Sequence, residues 1–149
     1  MSDIRTIFIS YEKGADWLLQ QPSLAGDDGL DTAVILSLFS DARARAGDDT
    51  PAPDDLRGWW GDAFAAKTGD RFGSRLWLLG RRKQLPSVLA EAKGYAEEAL
   101  AWLIKDGIAS RVEVEAFIPR DEMLGLRVAI TRPNGQPVRY RFEALWASL

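Results

Sequence analysis

The side chains in this chain that could do chemistry are carboxylates and arginines. Asp62, Asp70, Glu91, Glu113 and Glu115 are the acids that could form a catalytic pair. Glycoside hydrolysis needs two carboxylates across a cleft, one of them tuned by its surroundings. No spacing sets any two of these apart, and each has an ordinary surface or capping explanation. The 149 residues include no histidine and no cysteine. Disulfides, Cys/His zinc sites and Cys-His or Ser-His-Asp catalysis are thereby excluded. Asp27, Asp28 and Asp31 crowd one stretch, yet lack the alternation and the terminal Glu of an EF-hand loop. They read as a turn and a helix start, where acids suit the dipole. Gly69 and Gly73 lack the Gly-Lys-Ser/Thr ending and preceding strand of a phosphate loop. The expectation is a protein without cofactor, metal or enzymatic activity.

Recognition chemistry is better represented. Trp59 and Trp60 stand together between Gly58 and Gly61. Indoles bury large area in any core, so one of the pair is expected to pack over it while the other shields a turn. The sharper reading is an aromatic patch for a partner, because Trp is enriched at interface hot spots. Arg139 and Arg141, with Arg111, Glu113, Glu115, Arg127 and Glu143, alternate with apolar residues. They belong to the outer face of a sheet, either solvated or used for docking. Arg81, Arg82 and Lys83 read as a solvated charge run.

The elements that must position these groups follow from periodicity. Residues 4–11 are β-branched and aromatic and predict a strand, with a turn at 12–14 and a short return over 16–19 that buries Trp17. Leu30, Val34 and Leu38 recur in steps of four, predicting a helix from Asp28 or Asp31 to about Arg43. Residues 44–55 form a polar Pro/Gly/Asp loop, expected to be the most mobile segment. Residues 69–75 read as a structured turn leading into the apolar Leu76, Trp77, Leu78 and Leu79. Pro86 suits a first helical position and Gly107 a stop, so a helix about 30 Å long runs to Lys105. Its apolar stripe is Val88, Leu89, Ala92, Ala96, Ala99, Leu100 and Leu103.

Three alternating strands close the chain. Their apolar residues are Val112 to Ile118, Leu124 to Ile130, and Val138 to Trp146. A two-residue Asn-Gly loop would set Ile130 opposite Arg139, mixing apolar and charged side chains on one face. A three-residue loop of Pro133, Asn134 and Gly135 sets Ile130 opposite Val138, Val128 opposite Tyr140 and Leu126 opposite Phe142. The fold class is therefore α+β. An antiparallel three-stranded C-terminal meander packs on a long helix, with an N-terminal strand or hairpin and a second helix.

Length is most simply one domain over 1–149. Apolar residues at 46% and charged residues at 28% are ordinary globular values. No apolar run approaches ~18 residues, so no membrane span is expected. The first residues lack the apolar core of a signal peptide, so an intracellular place of synthesis is expected. A net charge of -3 speaks against a protein that coats nucleic acid.

Several separated motifs occur in one order. They are Asp27-Asp28-Gly29-Leu30-Asp31-Thr32-Ala33-Val34, Arg57-Gly58-Trp59-Trp60-Gly61-Asp62, Gly73-Ser74-Arg75-Leu76-Trp77, Ser110-Arg111-Val112-Glu113-Val114, and Tyr140-Arg141-Phe142 with Leu145-Trp146. Over nearly the whole chain this set resembles the gene-product-46 proteins of Mu-like phages. Those are similar to the gene-product-25 baseplate-wedge family of contractile tails. The resemblance implies a small α+β subunit of the virion tail baseplate, placed where the inner baseplate meets the sheath. It implies wedge, hub or spike proteins and the tail sheath protein as partners, a role in seeding the sheath, and neither nucleic acid nor membrane as a partner. In the wider family a Glu-Pro-Arg motif makes wedge contacts. Arg111 matches its arginine, whereas Ala109 and Ser110 replace the other two. The resemblance thus points to Arg111 and to Arg71, Arg75 and Trp77 as partner-binding residues. The wider family also carries a lysozyme-like label, so a peptidoglycan hydrolase of the tail is the alternative.

Overall fold

The computed structural model describes residues 30–149 in full and, before them, six short strands. These are β1 (Asp3–Ile4), β2 (Thr6–Ser10), β3 (Gly14–Trp17), β4 (Leu19–Gln20), β5 (Ser23–Leu24) and β6 (Gly26–Asp27). They pair antiparallel as β1 with β6, β2 with β3, and β4 with β5. The N-terminal hairpin expected from the β-branched pattern is β2–β3. Residues 11–13 of its turn and the side chain of Trp17 lie outside the described residues, as does Asp28.

Helix α1 (Leu30–Phe39) buries Leu30, Val34, Ile35 and Leu38. It ends at Phe39, short of the Arg43 expected from periodicity. A long-range pairing competes with the helix there. The Ser74 N–H donates to the Ser40 carbonyl at 2.8 Å, and the Ala42 N–H to the Ser74 carbonyl at 2.9 Å. The Ser74 hydroxyl also caps a helix carbonyl, donating to Leu38 at 2.6 Å. Gly73 makes the approach feasible with φ of +93°.

Helix α2 (Pro86–Lys105) has the expected bounds. Val88, Ala92, Ala96, Ala99, Leu100 and Leu103 are its buried stripe, with Leu89 partly covered. Gly107, at φ of +74°, turns the chain out of the helix. The N–H groups of Ile108 and Ala109 both return to the Leu103 carbonyl, closing that end.

The sheet consists of β7 (Arg111–Phe117), β8 (Met123–Thr131) and β9 (Pro137–Leu145), in that spatial order. Its second hairpin has the register of the three-residue loop: Ile130 faces Val138, Val128 faces Tyr140 and Leu126 faces Phe142. Arg132 and Gln136 close the loop by a hydrogen bond of 2.9 Å, and Gly135 sits at φ of +83°. Val114, Leu124, Leu126, Val128, Ile130 and Phe142 turn inward toward α1 and α2 and share one core with them. Trp146 continues the alternation only in part. It starts a short 3-10 turn after β9, is buried, and donates its indole N–H to the Leu79 carbonyl at 2.8 Å. Ile118 lies past the end of β7 and is exposed.

Between the helices the chain forms two 3-10 turns, Trp60–Phe64 and Leu76–Leu79. Leu76 and Leu79 enter the main core. Trp77 and Leu78 form a satellite cluster with Ala44, beneath Leu56 and Tyr95. The polar loop 44–55 is tied to this cluster rather than free.

Candidate functional site

The tie is Arg75. Its guanidinium meets Asp48 at 2.7 and 3.0 Å and Glu98 of α2 at 2.9 Å, while lying 4.5 Å over the Tyr95 ring. Arg45 completes the group with a 2.6 Å contact to Glu98. The Arg75 and Asp48 side chains are only 11% and 12% exposed. Burial alone would raise the Asp48 carboxyl. The Arg45 backbone N–H and the Arg75 guanidinium outweigh it and hold the group below the usual carboxylate value. Burial likewise lowers Arg75, but Glu98 and Asp48 hold it above its ordinary value. Trp77 is buried, its indole N–H donating to the Ala42 carbonyl at 2.8 Å, with Arg57 stacked 4.4 Å over its ring. The expectation that Arg75 and Trp77 face a partner is therefore corrected. Arg75 holds the loop 44–55 through Asp48, and Trp77 packs against Ala44 at its start, so both anchor that loop.

An outward surface lies at the Trp59–Trp60 turn. Neither indole packs into the core: Trp59 is 48% exposed and Trp60 is 76% exposed. The expectation that one of them would be buried is corrected. Neither indole belongs to a buried cluster, and they pack on their own turn instead. Trp59 lies across Gly61, where a Cβ would stand 2.3 Å from the indole, and packs 5.3 Å from Phe72. Phe64 joins Trp60 at 6.3 Å and is 80% exposed. The three rings make an outward aromatic ledge. Residue type alone does not single out Phe64, although its spacing of four from Trp60 is a usable signal. Arg71 is exposed beside the ledge, and so is Arg43, for which the sequence carries no signal. Among the described residues neither has a hydrogen bond or ion pair.

The second surface is the outer face of the sheet. Cross-strand rows place Glu113, Ala129 and Arg139 together, then Glu115, Arg127 and Arg141. Arg111 pairs with Glu113 at 2.7 Å, Arg127 with Glu115 at 2.9 Å, and Arg141 with Glu143 at 2.8 Å. Phe117 lies across Gly125 under Arg127 and Arg141, at 4.1 and 5.2 Å from their guanidinium carbons. Arg139 has no ion pair among the described residues and borders a shallow depression floored by Ala129. The two surfaces are built on different elements: Arg111, Arg139 and Arg141 on the sheet, and Arg71, Trp59 and Trp60 on the 3-10 turn and the loop after it.

A family model described as "Phage protein GP46" matches residues 30–137. The chain belongs to the phage GP46 family. It is 39% identical over 147 residues to the "Mu-like prophage FluMu protein gp46" of Haemophilus influenzae, covering 99% of each chain. It is 46% identical over 119 residues to the "Baseplate protein gp46" of Escherichia phage Mu, covering 79% of this chain and 80% of that one. The aromatic ledge, Arg71 and Arg111 lie inside the matched span of the GP46 model, and Arg139 and Arg141 lie just beyond it.

The five candidate carboxylates of this GP46-family chain each make an ordinary contact, although Asp62 Oδ2 is buried without a partner among the described residues. Glu91 meets Arg82 at 3.1 Å and Asp70 meets Lys105 at 3.3 Å. Asp62 accepts the Phe72 N–H at 3.0 Å. Glu113 and Glu115 hold Arg111 and Arg127 on the sheet. Among the described residues no three acids gather as they would around a metal ion. Ala109 is buried at the α2–β7 junction, and the exposed Ser110 bonds the Thr131 carbonyl across to β8. Together they start β7 and leave Arg111 exposed.

Proposed function

We propose that this chain is a non-enzymatic structural component of the tail baseplate of a phage or prophage-derived particle. It acts by binding neighbouring baseplate proteins, and in a contractile tail it helps to seed the sheath. The observation that carries this reading is the 46% identity to a protein of phage Mu whose name is baseplate protein. The geometry supports it with two exposed recognition surfaces on one braced scaffold. The aromatic ledge with Arg71 bears on wedge, hub or spike neighbours. The sheet, with Arg139 and Arg141, bears on the sheath side, and Arg111 at its corner bears on a wedge contact. The chain acts as one domain, made in the host cell and incorporated into the virion tail.

Co-purification with the wedge and sheath proteins encoded beside the chain tests this. Arg111→Glu is expected to weaken capture of one of them by roughly tenfold or more, the scale of a lost hot-spot contact. Arg111 is exposed and paired only along its own strand, so the melting temperature should stay within about 2 °C of wild type. Peptidoglycan hydrolysis by the purified chain, lost on Glu113→Gln or Glu115→Gln, would overturn the non-enzymatic reading.

A further inference from the structure

Two rings of the ledge and two guanidiniums share one depression, with Phe64 at its edge against Trp60. Arg43 and Arg71 line the same depression as Trp59 and Trp60, and both continue into a second depression against α2. The other charges around them are already committed. Arg57 is held by Asp41 at 2.8 Å and Asp55 at 3.6 Å. Asp70 is held by Lys105 at 3.3 Å; Asp62 accepts the Phe72 N–H through Oδ1, and its Oδ2 is buried and turned away from solvent. Arg45 and Arg75 are spent on Glu98 and Asp48. Arg43 and Arg71 are left as uncommitted cations, among the described residues, on a chain whose net charge is -3.

We propose that this groove docks an acidic segment of a neighbouring polypeptide. The segment's carboxylates sit on Arg43 and Arg71, and an apolar side chain beside them packs on Trp60 and Phe64. The inference rests on the baseplate reading and adds the chemistry of one partner. A guanidinium matches a carboxylate in planar, bidentate geometry. The exposed rings supply desolvated apolar area at little rotamer cost, as hot-spot residues do. Aromatics with arginines also serve single-stranded nucleic acid, where a basic groove tracks a run of phosphates. Here the free cations number two and no continuous basic track extends from them, because the neighbouring Arg57 and Lys105 are tied to Asp41 and Asp70; a pair of carboxylates fits and a run of phosphates does not.

Zero-length coupling tests the proposal. In Arg43→Lys/Arg71→Lys, the new amines can be joined by a carbodiimide to any carboxylate they touch in purified tails. The expected product links residue 43 or 71 to an Asp, Glu or terminal carboxylate of another polypeptide, next to an apolar residue. Arg43→Glu/Arg71→Glu is expected to lower incorporation into tails by roughly tenfold or more, with an unchanged thermal melt because neither guanidinium holds a hydrogen bond or ion pair in the fold. Links only to the chain's own Asp62 or Asp70, links to nucleic acid, no links, or normal incorporation of the double glutamate variant would overturn the proposal while leaving the baseplate reading intact. Absence of the wild-type chain from tails would overturn that reading and the proposal with it.

Discussion

Replacing Arg75 with leucine is expected to cost about 3 kcal/mol of folding stability, the low end for breaking a buried ion pair. The damage is asymmetric. Glu98 keeps Arg45 at 2.6 Å, so it retains a partner. Asp48 keeps only the Arg45 backbone N–H, at 2.7 Å, since its one side-chain partner is Arg75 and its carboxylate is only 12% exposed. What remains is a nearly buried charge beneath a loop that has lost its anchor. For a chain of this length the loss corresponds to a melting temperature about 6–12 °C lower. Arg45→Leu is the control. That side chain is 53% exposed, and its removal should cost under about 1 kcal/mol. Urea unfolding of both variants at neutral pH measures the difference, and equal small losses would contradict the bracing role given to Arg75.

The same pair sets an acid limit. The folded value of Asp48 lies below its unfolded one. Its stabilisation is thus fully present above the unfolded value and is lost as pH falls through the lower folded value. In Arg75→Leu the effect of burial is opposed only by the Arg45 contacts. Acid unfolding of that variant should begin at higher pH than in wild type.

Gly73→Ala is expected to be at least as damaging. The residue holds φ of +93°, and a Cβ there would stand 2.4 Å from the Ser40 carbonyl oxygen and 2.9 Å from the Ala42 nitrogen. Both obstacles are backbone, so no side chain can swing aside. Relief requires opening the Ser40–Ser74 and Ala42–Ser74 hydrogen bonds that end α1. Strain and two broken bonds together amount to about 3 kcal/mol or more. Gly69→Ala separates the two causes. Gly69 has φ of +88°, and a Cβ added there would meet nothing within 4 Å. It should lose only the backbone preference, about 1–2 kcal/mol. Thermal melts of the two variants check this, and equal losses would mean that the close approach of residues 73–74 to 40–42 carries no stability.

These positions also mark where the sequence stops being legible. Pro86 and Gly107 bound α2 correctly because start and stop signals are local. The β8–β9 register is readable because a one-residue slip would put Arg139 and Arg141 among core residues. Periodicity overruns the end of α1 because the pairing that stops the helix comes from Ser74, more than thirty residues away, a contact that no local pattern reports. The same limit governs the surface. Arg71, Arg75, Trp59, Trp60 and Trp77 are alike by type, and only the path of loop 44–55 separates the exposed ones from the buried. Family motifs mark a region without saying which side chains face outward. Arg43 cannot be found by type or spacing, since its interest lies in the lack of a counter-charge around it.

The most direct measurement for the structural role is quantitative mass spectrometry of purified tails, with and without the gene for this chain. The expected result is a fixed number of copies relative to the other baseplate proteins, and no sheathed tails when the gene is removed. Sheathed tails that assemble normally and contain no copy of the chain would contradict it.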